Sequence, residues 1–127
     1  MSRSATFRRL VDILDRSDVI VYVDPKATRP AVGGYLAHNV VAAGGYRYVH
    51  IAVNMSGAQD RLVPLLAHEL QHAVEIAQDP DARDELSVKQ LFDRLAVVFG
   101  CDGTTCSETK AAKDVETIVA AELKTSR

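Results

Sequence analysis

Cysteine is nearly absent from this 127-residue chain, which holds only two, and no run of apolar residues is long. Two cysteines cannot build the disulfide framework of a small stapled domain, so the fold must rest on a hydrophobic core. No apolar stretch approaches the roughly 20 residues needed to cross a bilayer. Neither sign of charge dominates either: 15 basic residues face 17 acidic ones, for a net charge of −2. That balance removes the electrostatic reason to expect nucleic acid or an anionic membrane as partner. The opening segment MSRSATFRRLVDILDRSD is too charged to hold the apolar stretch of a signal peptide. With 47% apolar and 25% charged residues, residues 1–127 are expected to form one globular domain.

The pair Cys101 and Cys106 encloses Asp-Gly-Thr-Thr. Their spacing is not the Cys-x-x-Cys of a redox centre or zinc ribbon. A Gly-containing turn suits a small loop closed by a disulfide, which would place the chain in the periplasm or outside the cell. The competing reading is a pair of reduced, partly buried thiols.

Periodicity divides the rest. Phe7, Leu10, Val11 and Leu14 repeat at helical spacing and predict a helix over residues 4–16. The β-branched run Val19 to Val23 predicts a strand. Residues 24–34, with two prolines and Gly33-Gly34, read as loop. Tyr35 to Val41 and Tyr46 to Asn54 are expected to pair as a hairpin across Ala42-Ala43-Gly44-Gly45. A helix of about five turns should then run through His68-Glu69-Leu70-Gln71-His72. Asp79-Pro80-Asp81 ends it. Ser87-Val88-Lys89-Gln90 reads as a capping box for a helix buried through Leu91, Phe92, Leu95, Val98 and Phe99, and Gly100 stops it. A last helix is expected over about 107–123, buried through Ala111, Ala112, Val115, Ile118, Val119 and Leu123. The expected class is α+β: an N-terminal helix, a small three-stranded antiparallel or mixed sheet, then three helices covering one face.

His68 and His72 carry the chemistry. At about 100° per residue, His72 lies roughly 40° from His68 and Glu75 roughly −20°, on one stripe of the helix. Two imidazoles one turn apart can hold a single Zn²⁺, and Glu69 between them is placed as a general base. The bland alternative is a pair of surface histidines. Leu66, Leu70, Ala73 and Ala77 gather on the opposite, apolar face.

A hydrolytic zinc site needs a third protein ligand and an open fourth position. Position 78 is Gln, which excludes a histidine ten residues after the first, and His38 and His50 both lie upstream. The remaining candidates are Glu75, Glu85, Glu108, Glu116 and Glu122. Glu108 is favoured because it precedes Ala111, Ala112 and Val115 at helical spacing. Against this, Thr105-Cys106-Ser107-Glu108 is itself a capping box. Glu116 is the next candidate, at the border of the stripe. Glu75 lies about 10 Å further along the helix than His68, and suits a role as acceptor behind a ligand or as partner of an arginine.

The segment His68-Glu69-Leu70-Gln71-His72-Ala73-Val74 resembles the active-site helix of thermolysin-type gluzincins, which commonly reads HELTHAV. Glu108-Thr109-Lys110-Ala111-Ala112 is similar to the downstream E-x-x-A-D of gluzincin peptidases, with Ala112 in place of the acid, a role that Asp114 could take. Size and element order also resemble the minimal single-domain gluzincins. The resemblance covers two short segments, of which the first is specific and the second weak. It implies a zinc-dependent peptidase in which His68, His72 and Glu108 bind Zn²⁺ and Glu69 takes a proton from water and returns it to the leaving amine. His50 or Tyr48, on the strand before the helix, is a candidate oxyanion donor. That strand would also offer an edge to an extended peptide substrate. The rival readings are a catalytically silent binding module of the same fold and a structural zinc site. Retention of Glu69 argues against a structural site, which needs ligands but no base.

Overall fold

The computed structural model describes residues 4–25, 34–37, 39–53, 59–95 and 109–125. In chain order the elements are α1 (Ala5–Asp15), β1 (Val19–Asp24), β2 (Gly34–Leu36), β3 (Val41–Ala43), β4 (Tyr46–Val53), α2 (Gln59–Ala77), α3 (Glu85–Leu95) and α4 (Lys110–Thr125). The architecture is α+β, with the N-terminal helix, the mixed sheet and the three later helices in the expected order.

β4 is the centre of the sheet. β1 runs parallel along one side of it, from Val19 opposite Arg47 to Asp24 opposite Ala52. β2 and β3 both run antiparallel on its other side. They are the expected second strand in two pieces. Leu36 and Val41 lie five positions apart while their partners Ile51 and Tyr48 lie three apart, so two surplus residues break the ladder as in a bulge. The Ala37 N–H still reaches the His50 carbonyl, at 2.8 Å. The turn into β4 falls on Gly44 and Gly45, whose φ values of 60° and 85° suit glycine far better than any residue with a Cβ.

Alternation along β4 decides which face is covered. Arg47, Val49, Ile51 and Val53 are buried and point to the helices, while Tyr46 and His50 are exposed on the other face. Val49, Ile51 and Val53 join Leu10, Leu70, Ala73, Ile76, Val88, Phe92 and Val119 in one hydrophobic cluster. α2 touches β1, β2 and β4 as well as α1 and α4, so it is the buried centre of the domain.

Local chemistry sets the helix starts. Ser4 caps α1, its Oγ accepting from the Phe7 N–H at 3.0 Å. At α3 the expected box beginning at Ser87 is displaced. Ser87 N–H donates to Asp84 Oδ1 at 2.8 Å and Asp84 N–H donates back to Ser87 Oγ at 3.1 Å, so Asp84 is the cap and Ser87 closes the box. Leu95, expected in the core, is 41% exposed. Thr109 caps α4: its Oγ1 accepts from Ala112 N–H at 3.1 Å. The buried stripe of α4 runs through Ala112, Val115 and Val119, whereas Ala111 and Ile118, placed on it by the sequence pattern, are exposed.

Candidate metal centre

Four neighbouring polar residues of α2, His68, Glu69, His72 and Glu75, are all buried, none more than 8% exposed. Burying such groups costs free energy unless each is held by partners. The histidine stripe faces α4, the helix against which this side of α2 packs. His68 and His72 lie one turn apart with ring centroids 5.0 Å from each other, edge to face.

Each imidazole presents its Nδ1 to a carboxylate. His68 Nδ1 lies 2.8 Å from Glu116 Oε1, which reaches across from α4. His72 Nδ1 lies 3.0 Å from Glu75 Oε1, one turn further along α2. The second oxygen of Glu75 accepts from the hydroxyl of Thr109, at 2.8 Å. Phe92 of α3 closes the other side of His72, its ring edge-on at 5.2 Å. A carboxylate at Nδ1 orients each ring, the arrangement that in metal-binding histidines leaves Nε2 as the ligating nitrogen.

The clamp that holds the far end of α2 is Arg47. It is 2% exposed and forks onto Asp18, with Nε to Oδ2 and Nη2 to Oδ1 both at 2.7 Å. Its Nη1 donates to the carbonyls of Ile76, Asp79 and Ala82 at 2.9, 2.7 and 3.1 Å, and Nη2 to that of Ala77 at 3.2 Å. These include carbonyls that the helix end leaves without intrahelical donors. The hydrogen bond from Arg47 holds the Asp18 carboxyl below the usual carboxylate range, against the opposing effect of burial.

The structure brings His68, His72, Glu75 and Glu116 together, buries Glu69 on the same helix, and leaves other expected residues elsewhere. Tyr48 and His50 are on the opposite face of the sheet, where Tyr22 stacks on both, with centroids 6.2 and 5.3 Å apart. β4 covers α2 with its other face, so neither ring is a donor for this site. β4 is paired along both sides and offers no edge, so an added peptide strand would have to use an outer strand. Asp114, the candidate supporting carboxylate, is exposed and pairs with Lys110 Nζ at 2.7 Å, whereas the α4 carboxylate beside His68 is Glu116. Glu108, His38, Asn54, Cys101 and Cys106 lie outside the described residues. Among the described residues, no three His, Cys, Asp or Glu side chains form a group able to hold a metal ion.

Sequence reasoning passed over Thr109 and Arg47. Thr109 carries an ordinary cap signal, a threonine before an apolar helical run, but Thr105 and Ser107 compete for it a few residues upstream. Nothing local to Arg47 names its partners, which come from Asp18 and from the stretch 76–82. No protein-family model, no curated protein and no solved structure matches this chain.

Proposed function

We propose that the chain is a zinc-dependent hydrolase of peptide bonds, similar to the minimal gluzincins, with His68, His72 and Glu108 as ligands and Glu69 as general base. The observation that carries this reading is the pair of carboxylates on the two Nδ1 atoms. Bare surface histidines have no need of such orientation, and metal ligands do. Two imidazoles on one helical stripe, each oriented by a carboxylate at Nδ1, are a donor pair of the kind zinc takes. Glu108 completes the set in this reading.

Bound zinc would supply a Lewis acid that polarises a substrate carbonyl and acidifies water. Glu69 accepts a proton from the attacking water at its carboxylate and delivers it to the leaving nitrogen. With Nδ1–H donated to Glu116 and Glu75, His68 and His72 would each turn Nε2 toward the metal. Burial of His72 and Glu75 keeps bulk water from competing for the bond between them.

The test is cleavage of a broad peptide library by the wild type and by Glu69→Gln, each checked for metal. Wild-type cleavage that falls by at least about 10²-fold in Glu69→Gln, with zinc retained, supports the reading. Zinc binding without cleavage by either protein would favour the silent binding module. Glu108→Gln should weaken zinc binding by orders of magnitude, and unchanged binding would pass the third-ligand role to another residue.

A further inference from the structure

We propose that Thr109 is a positioning residue for His72, so that zinc affinity and the capping of α4 are set by one buried hydroxyl. The inference rests on the zinc reading above and deepens it. Thr109 is 3% exposed and its hydroxyl serves two partners at once. The oxygen accepts from Ala112 N–H at 3.1 Å, closing the first turn of α4, and the proton goes to Glu75 Oε2 at 2.8 Å. Glu75 passes the constraint on through its other oxygen, 3.0 Å from His72 Nδ1. The chain of contacts therefore runs from the α4 cap to the imidazole with no exposed member, since Glu75 and His72 are 8% and 4% exposed.

Each link has a chemical consequence. A carboxylate that takes Thr109 Oγ–H on one oxygen is held in a single rotamer, and its second oxygen then selects the Nδ1–H form of His72. That tautomer places the lone pair on Nε2, where a metal is bound. Removal of the hydroxyl frees Glu75 to rotate and relaxes the preference. Glu116, the carboxylate behind His68, has a side chain 41% exposed, whereas Glu75 is buried against Thr109. Both histidines are thus oriented from α4, His68 through the part-exposed Glu116 and His72 through the buried pair Glu75 and Thr109.

The experiment compares wild type, Thr109→Val and Thr109→Ser. Zinc affinity is read by chelator competition, and the His72 tautomer in metal-free protein by long-range ¹⁵N–¹H NMR. Thr109→Val keeps the shape and loses the hydroxyl, and should weaken zinc binding by about 10- to 100-fold. Thr109→Ser should restore it, and His72 should be Nδ1–H in wild type and a mixture of tautomers in the valine variant. Wild-type zinc affinity in folded Thr109→Val would overturn the proposal. So would an Nε2–H tautomer in the wild type, a measurement that needs no variant to fold. Should the wild type take up no zinc, the metal reading falls, and the tautomer comparison still decides whether Thr109 positions His72.

Discussion

Arg47 concentrates more of the fold on one side chain than any other described residue. It ties β4 to Asp18 and to the carbonyls of Ile76, Ala77, Asp79 and Ala82, so it fixes where α2 ends and hence where the histidines stand. Arg47→Ala leaves these acceptors without their buried donor and should cost about 3–5 kcal/mol, read from urea unfolding. A loss below about 1 kcal/mol would show that water replaces the guanidinium without penalty. The Asp18 carboxyl titrates below its ordinary value in the folded chain because of the Arg47 hydrogen bond. Its contribution is therefore full above the unfolded value of about 4 and is lost as pH falls through the lowered folded value. Asp18→Asn should flatten the acid side of the stability curve, and an unaltered acid limb would count against the pairing. A period-2 reading of β4 does place Arg47 on the face opposite Tyr46 and Tyr48. What it cannot supply is the remote set of acceptors that makes burial of a charge tolerable.

Among the elements, the hairpin into β4 gives the cleanest test of backbone cause. Gly44 and Gly45 both adopt positive φ, and a Cβ built on either meets nothing within 4 Å. The cost of alanine there is conformational alone. Gly45→Ala should lose about 1–2 kcal/mol by urea unfolding, while Gly44→Asn should be nearly neutral, since asparagine tolerates this region. Equal stability of Gly45→Ala and wild type would refute the turn assignment. This turn was legible because glycine has so few other reasons to occur in pairs between β-branched runs. The helices carrying the strongest periodicity, α1 and α2, were legible for the same kind of reason. Where signals competed, the sequence pattern alone did not decide between them. Asp84 rather than the expected box at Ser87 caps α3, and Ser87 supplies the return bond. The strand before β4 reads as continuous in sequence and is broken by surplus residues that only the pairing register reveals. Of the candidate site, the HExxH stripe was legible in full. The carboxylates that orient it were legible in part, because Glu75 shares the stripe while Glu116 comes from a helix whose rotation the apolar pattern misplaced.

At the scale of the whole molecule, the first and last helices are joined by one carboxylate. Glu122 of α4 accepts from Ser4 Oγ, from Thr6 N–H at 3.1 Å and from Thr6 Oγ1 at 2.8 Å, at the N-terminus of α1 where an anion is favoured. The Ser4 hydrogen bond leads in lowering its pKa, with Thr6 adding to it against desolvation. Glu122→Gln removes the charge from these bonds and should cost about 1–3 kcal/mol at neutral pH. The difference should vanish as pH falls below about 4, through the lowered folded pKa, because the wild-type carboxyl is then protonated as well. A pH-independent difference would mean that shape and not charge holds the two helices. With the ends tied, α2 is enclosed by the sheet, α1 and α4, and a site on α2 becomes a property of the whole domain.

Zinc bound to such a site must stabilise the folded chain, by about 2.7 kcal/mol at a hundredfold excess over Kd. The most direct test is therefore metal stoichiometry together with zinc-dependent thermal stability, measured on wild type and His72→Ala side by side. The account predicts one zinc per wild-type chain and a melting temperature that rises with added zinc, with both effects absent in His72→Ala. Stoichiometric zinc in His72→Ala, or a wild type that neither binds zinc nor is stabilised by it, would contradict it.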